Sequence, residues 1–271
     1  MQLIDIALYI NFLFLDHSIL LKKAEKECDA TLAIRYAEHL LMPLVDEKKY
    51  VIDTYPGIQS VKCCDVEHPL SGKCGDTSFG LQDGWHGKVD ILICDAEDRL
   101  PVFIAESTDD DVSMSDIEER SCEKSSGDAY AQMIAKTFVF SFLQHKQNSG
   151  KLRNSLIPSI GIIGEKFIAF MYDCENNVLL GSCVLSLFYK GSIDVRSVIF
   201  LWLVLNYRLF CSGLIDDFKS FKSEFHTLIG DEYLKQYRNE VTMPCHEKSS
   251  RKKKELMTQA YLKILRQLER G

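Results

Sequence analysis

The sequence predicts an α/β protein whose C-terminal part is helical. Of its 271 residues, 46% are apolar, which is enough for a sizeable hydrophobic core. Short runs rich in β-branched and aromatic residues occur at 89–94, 102–107 and 167–173, and they are typical of strands. Apolar residues at helical spacing lie on both sides of this central region, so helices are expected to flank a sheet.

The N-terminal 49 residues are predicted to form two helical segments, the second over 20–41 and closed by Pro43, which cannot continue a helix. The apolar stretch 3–15 lacks a basic leading region and contains Asp5, so a buried helix is expected there rather than a signal peptide. Residues 50–84 are rich in glycine and proline, which predicts a loop with room for one edge strand.

The central region is predicted to begin with a β-hairpin, formed by strands at 89–94 and 102–107 around a turn at 96–100. A polar, acidic loop is expected over 109–127, followed by an apolar helix over 128–145. Further strands are predicted at 160–163, 167–173 and 178–184.

The C-terminal part is predicted to contain helices at 195–210, 215–238 and 252–270. This pattern divides the chain into an α/β core over 1–190 and a helical extension over 191–271 that packs on the core. The apolar run 198–210 is too short to span a membrane, so no membrane partner is expected. Ten dispersed cysteines favour reduced thiols and an intracellular protein of the nucleus or cytoplasm.

A net charge of -7 argues against a protein that coats nucleic acid over its whole surface, although a local basic patch is compatible with it. The basic run at 248–254 is one such patch. It is interpreted as a nuclear localisation signal, a phosphate contact or a solvated helix start.

The predicted hairpin is the first candidate site. A turn centred on Asp98 places Asp90 opposite Glu106, and Lys88 opposite Thr108, all on one face of the sheet. Opposed carboxylates repel each other unless a cation or a shared proton compensates, and Mg²⁺ binds such oxygen ligands. The alternative is that one of the two carboxylates points to solvent at the strand end.

These residues resemble the motifs of the PD-(D/E)XK nuclease superfamily, over a stretch of the chain from about Glu38 to Tyr172. The Gly-x-x-Asp element is similar to Gly87 to Asp90, and the (D/E)-x-K element is similar to Glu106 to Thr108. The resemblance implies a mixed β-sheet core of restriction-endonuclease-like type, flanked by helices.

The resemblance also implies roles for individual residues. Asp90, Glu106 and the backbone carbonyl of Ser107 would bind Mg²⁺ or Mn²⁺, and Glu38 on the preceding helix would contact a second ion or a metal-bound water. Gln132 matches the glutamine that often follows on the next helix. An edge position for Glu38 and an ordinary helix position for Gln132 remain alternatives.

Thr108 departs from the family pattern, since it occupies the lysine position and supplies no positive charge. Lys88, predicted to face Thr108 across the hairpin, is the first replacement candidate, and Lys136, one helical turn beyond Gln132, is the second. Each is a solvated lysine in the alternative interpretation.

The predicted function is therefore that of a metal-dependent phosphodiesterase, a nuclease acting on DNA rather than RNA and weakened by the loss of the usual lysine. The alternatives are a catalytically inactive nuclease-fold protein that binds nucleic acid or protein, and an interaction protein whose helical part is functional. A Cys/His group at 63–74 lacks the paired spacing of structural zinc sites, and Ser71-Gly72-Lys73 fails to complete a P-loop.

Overall fold

A computed structural model describes residues 29–45, 49–53, 73–94, 99–105 and 124–244. The strands are β1 (Lys49–Asp53), β2 (Lys73–Gly75), β3 (Ser78–Gly80), β4 (His86–Lys88), β5 (Ile91–Cys94), β6 (Arg99–Ala105), β7 (Leu156–Ile163), β8 (Lys166–Asp173), β9 (Val178–Gly181), β10 (Leu185–Ser186), β11 (Phe188–Tyr189) and β12 (Ser192–Ile193). The α-helices are α1 (Asp29–Tyr36), α2 (Lys124–Gln147), α3 (Val195–Leu205), α4 (Tyr207–Phe210) and α5 (Phe225–Glu240). A π-helix (Ala37–Leu41) and a 3₁₀ turn (Met42–Leu44) extend α1, and a second 3₁₀ turn (Asp216–Ser220) precedes α5.

The central sheet is mixed, as the resemblance implied. Its strand order is β10-β8-β7-β6-β5-β1-β2, with β9 also paired to β8. Strands β1, β5 and β6 are antiparallel neighbours, whereas β6 and β7 are parallel. A parallel pair needs a crossover connection, and α2 lies in the chain between these two strands. The structure is thus an α/β fold with helices against its sheet.

Helices cover both faces of the sheet, which explains its almost continuous apolar strands. The first face packs against α1, the π-helix and α3, with Leu40, Ile52 and Leu201 among its buried residues. The second face packs against α2 and α5, with Phe103 and Phe138 in its core. No helix of the described residues is long and apolar enough to cross a membrane.

Helix α2 lies between the sheet and α5, so most of its circumference is buried. Phe138 stacks on Phe225 of α5, and its ring is edge-on to Tyr172 of β8. Phe140 makes an edge contact with Phe79 of the separate β3–β4 ribbon. Buried hydroxyls on this helix have partners, since Ser141 donates to the backbone carbonyl of Tyr172 at 3.0 Å. The helix is therefore the centre of the second core.

The β5–β6 hairpin has a different register from the predicted one. A turn centred on Asp98 would pair Ile91 with Ala105. In the structure Ile91 pairs with Val102, which lies three positions earlier. Cys94 pairs with Arg99, so four residues connect the strands. A displacement by an odd number of residues reverses the face on which each pair lies. The prediction that Asp90 directly faces Glu106 is wrong for this register, because Phe103 takes the position opposite Asp90.

Candidate functional site

Two carboxylates occupy opposed positions on neighbouring antiparallel strands. Ile52 of β1 pairs with Ile91 of β5, and the next pair in this register is Asp53 with Asp90. The backbone N–H of Asp53 donates to the carbonyl of Asp90 at 3.2 Å, which extends the pairing to these residues. Opposed residues of an antiparallel pair point to the same face, so both side chains lie on the face of the second core.

The Asp90 carboxylate is held by the third strand of this meander. Its Oδ2 accepts a hydrogen bond from the backbone N–H of Ile104 on β6 at 2.9 Å. The chain bends at Asp90, between β4 and β5, which lets the side chain reach across to that amide. The buried Thr77 hydroxyl donates to the carbonyl of Val89 at 2.5 Å and fixes the preceding residue. The position of Asp90 is therefore set by backbone contacts on both sides.

Lys88 lies beside the pair but belongs to a different ribbon from the one predicted. It ends β4, where it pairs with Ser78 of β3, so the prediction that Lys88 faces Thr108 within the hairpin is wrong. Its Nζ lies 3.1 Å from Asp53 Oδ2. The Lys88 side chain is 53% exposed and the Asp53 side chain only 15%, so the ammonium covers a largely buried carboxylate from the solvent side.

Lys136 approaches the same carboxylates from α2. Its Nζ lies 4.9 Å from the centre of the Phe103 ring, at a distance typical of a cation–π contact. Burial lowers the pKa of Lys136, and attraction to Asp90 and then Asp53 opposes that effect. Desolvation is the larger of these influences, so keeping Lys136 charged at this position costs free energy. Such a group is a candidate functional residue.

The remaining predicted side chains lie at an exposed helix position, beside a residue of the first face, or outside the described residues. Gln132 is exposed on α2, one turn before Lys136. Glu38 lies on the π-helix, where its carboxylate accepts a hydrogen bond from the Tyr50 hydroxyl. Tyr50 belongs to the core of the first face, whereas Asp53, three residues further along β1, points to the second face.

Three predicted residues, Glu106, Ser107 and Thr108, lie outside the described residues, as does the Cys/His group except for the backbone of Cys74. The cluster therefore contains one predicted metal ligand, Asp90 at the bend between β4 and β5, and both replacement lysines, Lys88 on β4 and Lys136 on α2. It also contains Asp53 on β1, which the sequence reasoning missed.

The donor set of this cluster fits a hard divalent cation. Two carboxylates and water are enough for Mg²⁺, which often binds proteins through one or two carboxylates. Within the described ranges, no group of three or more His, Cys, Asp or Glu side chains converges to hold a metal ion. Any protein ligand beyond Asp53 and Asp90 would therefore have to come from other donors or from the remaining parts of the chain.

Asp53 has only a weak signal in the sequence. The segment Lys49 to Asp53 has three consecutive apolar residues between two charged ones, and its alternation of more exposed and buried residues is seen only in the structure. This segment lies at the start of the glycine-rich region that was predicted to be a loop with room for one edge strand.

Comparison of the chain with protein-family models, curated proteins and solved structures gives no match.

Proposed function

We propose that this protein is a metal-dependent phosphodiesterase, a nuclease of restriction-endonuclease-like type that acts on DNA. The observation that supports the proposal is the pair of opposed carboxylates, Asp53 and Asp90, with Lys136 attracted to both. In this proposal the pair holds Mg²⁺ or Mn²⁺. Asp90 belongs both to this pair and to the motif that resembles PD-(D/E)XK nucleases.

Glu106 and the Ser107 carbonyl are proposed as further ligands on one condition: the chain must depart from strand alternation after Ala105, because in the observed register Glu106 has the parity of Ile104 and not that of Phe103, which lies opposite Asp90. Asp90 bonds to the amide of Ile104, and Glu106 follows Ile104 by two residues in the sequence. Cα atoms two residues apart are separated by at most about 7 Å. The backbone of this part of the chain is thus tied to the Asp90 carboxylate by a short connection.

A divalent ion bound by these carboxylates would polarise a phosphate group and lower the pKa of a bound water. The protein's own contribution is positional. Lys136 provides a positive charge in a partly desolvated place, where its attraction to a phosphoryl oxygen is stronger than in water. We propose that it replaces the lysine absent at Thr108. Lys88 instead covers Asp53, and its exposure allows it to swing away when a cation binds.

A second candidate function has its own support. Lys88 already pairs with Asp53, and Lys136 is attracted to both carboxylates, so positive charges oppose the two carboxylates without a metal ion. Such a cluster is compatible with a nuclease-fold protein that has lost catalysis and binds nucleic acid or another protein. The two candidates differ in whether a divalent cation binds and whether DNA is then cleaved.

The test combines a calorimetric titration with Mg²⁺ or Mn²⁺ and a cleavage assay on single- and double-stranded DNA and RNA, with EDTA as the metal-free condition. We expect the full chain to cleave DNA with metal only, and we expect Asp90→Asn to weaken metal affinity at least tenfold because one ligand is lost. Asp231→Asn on the exposed side of α5 is the matched control and should behave like the wild type.

Each outcome of this assay selects between the candidates. Metal binding without cleavage of any substrate favours the inactive module, and cleavage that persists in EDTA rejects the metal-dependent mechanism. If Lys88→Ala abolishes cleavage while Lys136→Met does not, the lysine roles proposed above are reversed.

A further inference from the structure

The polypeptide enters α5 through a short helical segment with a left-handed residue at each end. Glu224, immediately before the helix, has a φ of 56°, and Gly230 has a φ of 77° with a ψ of 164°. Helix α5 therefore consists of a first part over 225–229 and a second part over 231–240. Left-handed backbone is uncommon for a residue with a side chain, and residues at the ends of elements can absorb the dihedral changes of a hinge. We call residues 222–229 the latch.

Polar contacts hold the latch against the β8–β9 connection. The backbone N–H of Ser223 donates to the Asn177 carbonyl at 2.8 Å, and the Ser223 hydroxyl donates to the Asn177 side chain at 2.6 Å. Lys222 Nζ donates to the Asn176 carbonyl at 2.6 Å. The Phe225 side chain of the latch is fully buried in the second core. The latch thus combines an apolar anchor with hydrogen bonds to a neighbouring element.

His226 follows this anchor and lies between aromatic rings. Its ring centre is 6.1 Å from that of Phe142 on α2 and 6.4 Å from that of Phe225. Nε2 of His226 is buried and has no hydrogen-bond partner among the described residues. A neutral imidazole has one nitrogen without a proton, whereas in the imidazolium both nitrogens are donors. Protonation therefore adds an N–H and a charge where the described residues provide no acceptor, which costs free energy.

Burial and nearby cations both disfavour the protonated ring. Burial is the largest influence that lowers the pKa of His226, followed by repulsion from Arg238 in the second part of α5. A hydrogen bond with the Cys174 backbone raises this pKa, and Lys222 lowers it again. The Cys174 thiol stays neutral, since its burial raises its pKa to about 12. The closed latch therefore favours a neutral His226.

The acidic groups of this region keep their negative charges, but they are directed at other donors. Asp173 accepts hydrogen bonds from two backbone N–H groups of the β8–β9 connection, at 3.0 and 2.8 Å. Glu175 Oε1 lies 3.6 Å from Nε2 of His145 on α2, and Glu224 of the latch is exposed. Any attraction that they exert on His226 is outweighed, since its pKa is lowered overall. Protonation of His145 strengthens its contact with Glu175, which is the opposite of its effect at His226.

We propose that the latch is an acid-sensitive switch that stays closed over the second core while His226 is neutral and opens when His226 binds a proton. The Nε2 lone pair accepts this proton from solvent, so the step needs no other reactant. Changes of backbone dihedral angles at Glu224 and Gly230 then release Phe225 from the core. The proposal does not depend on the nuclease function.

The direction of the pH dependence follows from the lowered pKa. The ring binds more protons in the open latch than in the closed one once pH falls below the ordinary histidine value of 6.5. The stabilisation that neutral His226 gives to the closed latch is thus fully present above that value. It is lost as pH falls from there through the lowered pKa.

The first test compares thermal unfolding of the full chain at about pH 7.5 and about pH 5.5, on either side of the ordinary histidine pKa. We expect the midpoint temperature of the wild type to fall by about 3 °C or more at the lower pH. His226→Phe keeps an aromatic ring and His226→Gln a polar side chain, and in each the fall should be at most half as large. His145→Gln is the matched control and should keep the whole fall. An equal fall in the wild type and both His226 variants, or no fall in the wild type, overturns the proposal.

The second test locates the opening in the wild type itself. Hydrogen exchange is measured by mass spectrometry at both pH values and corrected for the intrinsic pH dependence of amide exchange. Peptides that cover the latch should exchange roughly threefold faster or more at the lower pH, relative to peptides from strands β7 and β8. In His226→Phe this relative acceleration should disappear. A relative acceleration that persists in His226→Phe, or equal changes in the latch and the strands of the wild type, overturns the proposal as well.

Discussion

Phe225→Ala should lower the free energy of unfolding by about 3–5 kcal/mol, the range for removing a fully buried aromatic side chain. Phe225 begins α5 and is 0% exposed. Its ring stacks on Phe138 with centroids 4.3 Å apart and meets Tyr172 edge-on at 6.1 Å. Because these partners lie on α2 and β8, the substitution opens a cavity where the helical extension meets the core. Chemical denaturation measures the loss.

The matched control is Phe221→Ala, four residues earlier. Phe221 is 67% exposed, so its truncation should change the free energy of unfolding by less than about 0.5 kcal/mol. Equal effects of the two substitutions, or two separate unfolding transitions in the wild type, would show that α5 is not part of a common core. The expected result is one transition with a large difference between the two variants.

Lys136→Met should reduce the rate of DNA cleavage at least 100-fold while leaving the protein as stable as the wild type or more stable. The rate falls because the proposed positive charge beside Asp90 is lost. Stability is kept because burial, the larger influence on the Lys136 pKa, makes its charged form costly, and an apolar side chain of similar length removes that cost. Single-turnover cleavage and thermal unfolding provide the two measurements.

The pH dependence offers a further check on Lys136. Its pKa is lowered, so the ammonium loses its proton at a pH below the ordinary lysine value of 10.5. Cleavage that requires the ammonium should therefore decline as pH rises, before that value is reached. Lys235→Met on the exposed side of α5 is the control and should match the wild type. A Lys136→Met variant with full activity would remove this residue from the mechanism.

The elements that the sequence predicted well are the long, strongly apolar ones. Strands β7 and β8 and helix α2 were expected, although each extends beyond its predicted limits. A helix was predicted over 215–238, whereas α5 begins at Phe225 after a 3₁₀ turn and changes direction at Gly230, whose φ is 77°. Local periodicity does not reveal where a glycine adopts a left-handed conformation.

The errors fall where strands are short or where a pairing partner is distant. Strands β2, β3 and β4 have three residues each, too few to show an alternating pattern, although β3 pairs with β4 close by in the chain. The register of the β5–β6 hairpin was wrong because the length of the connection was assumed, and that length sets the register. Asp53 was missed because its strand pairs with β5, some forty residues later in the chain. Asp90 and Lys136 were predicted from the family motif and the helix spacing, and their proposed roles stay predictions.

The central claim is that Asp53 and Asp90 together hold a divalent cation. Titration of the full chain with Mn²⁺, followed by the loss of the free-ion electron paramagnetic resonance signal, tests it directly. We predict one site whose affinity falls at least tenfold in Asp53→Asn. Lys88→Ala should bind Mn²⁺ as well as the wild type or more tightly, because a competing ammonium is removed. Unchanged Mn²⁺ affinity in Asp53→Asn, or no Mn²⁺ binding by the wild type, would contradict the claim.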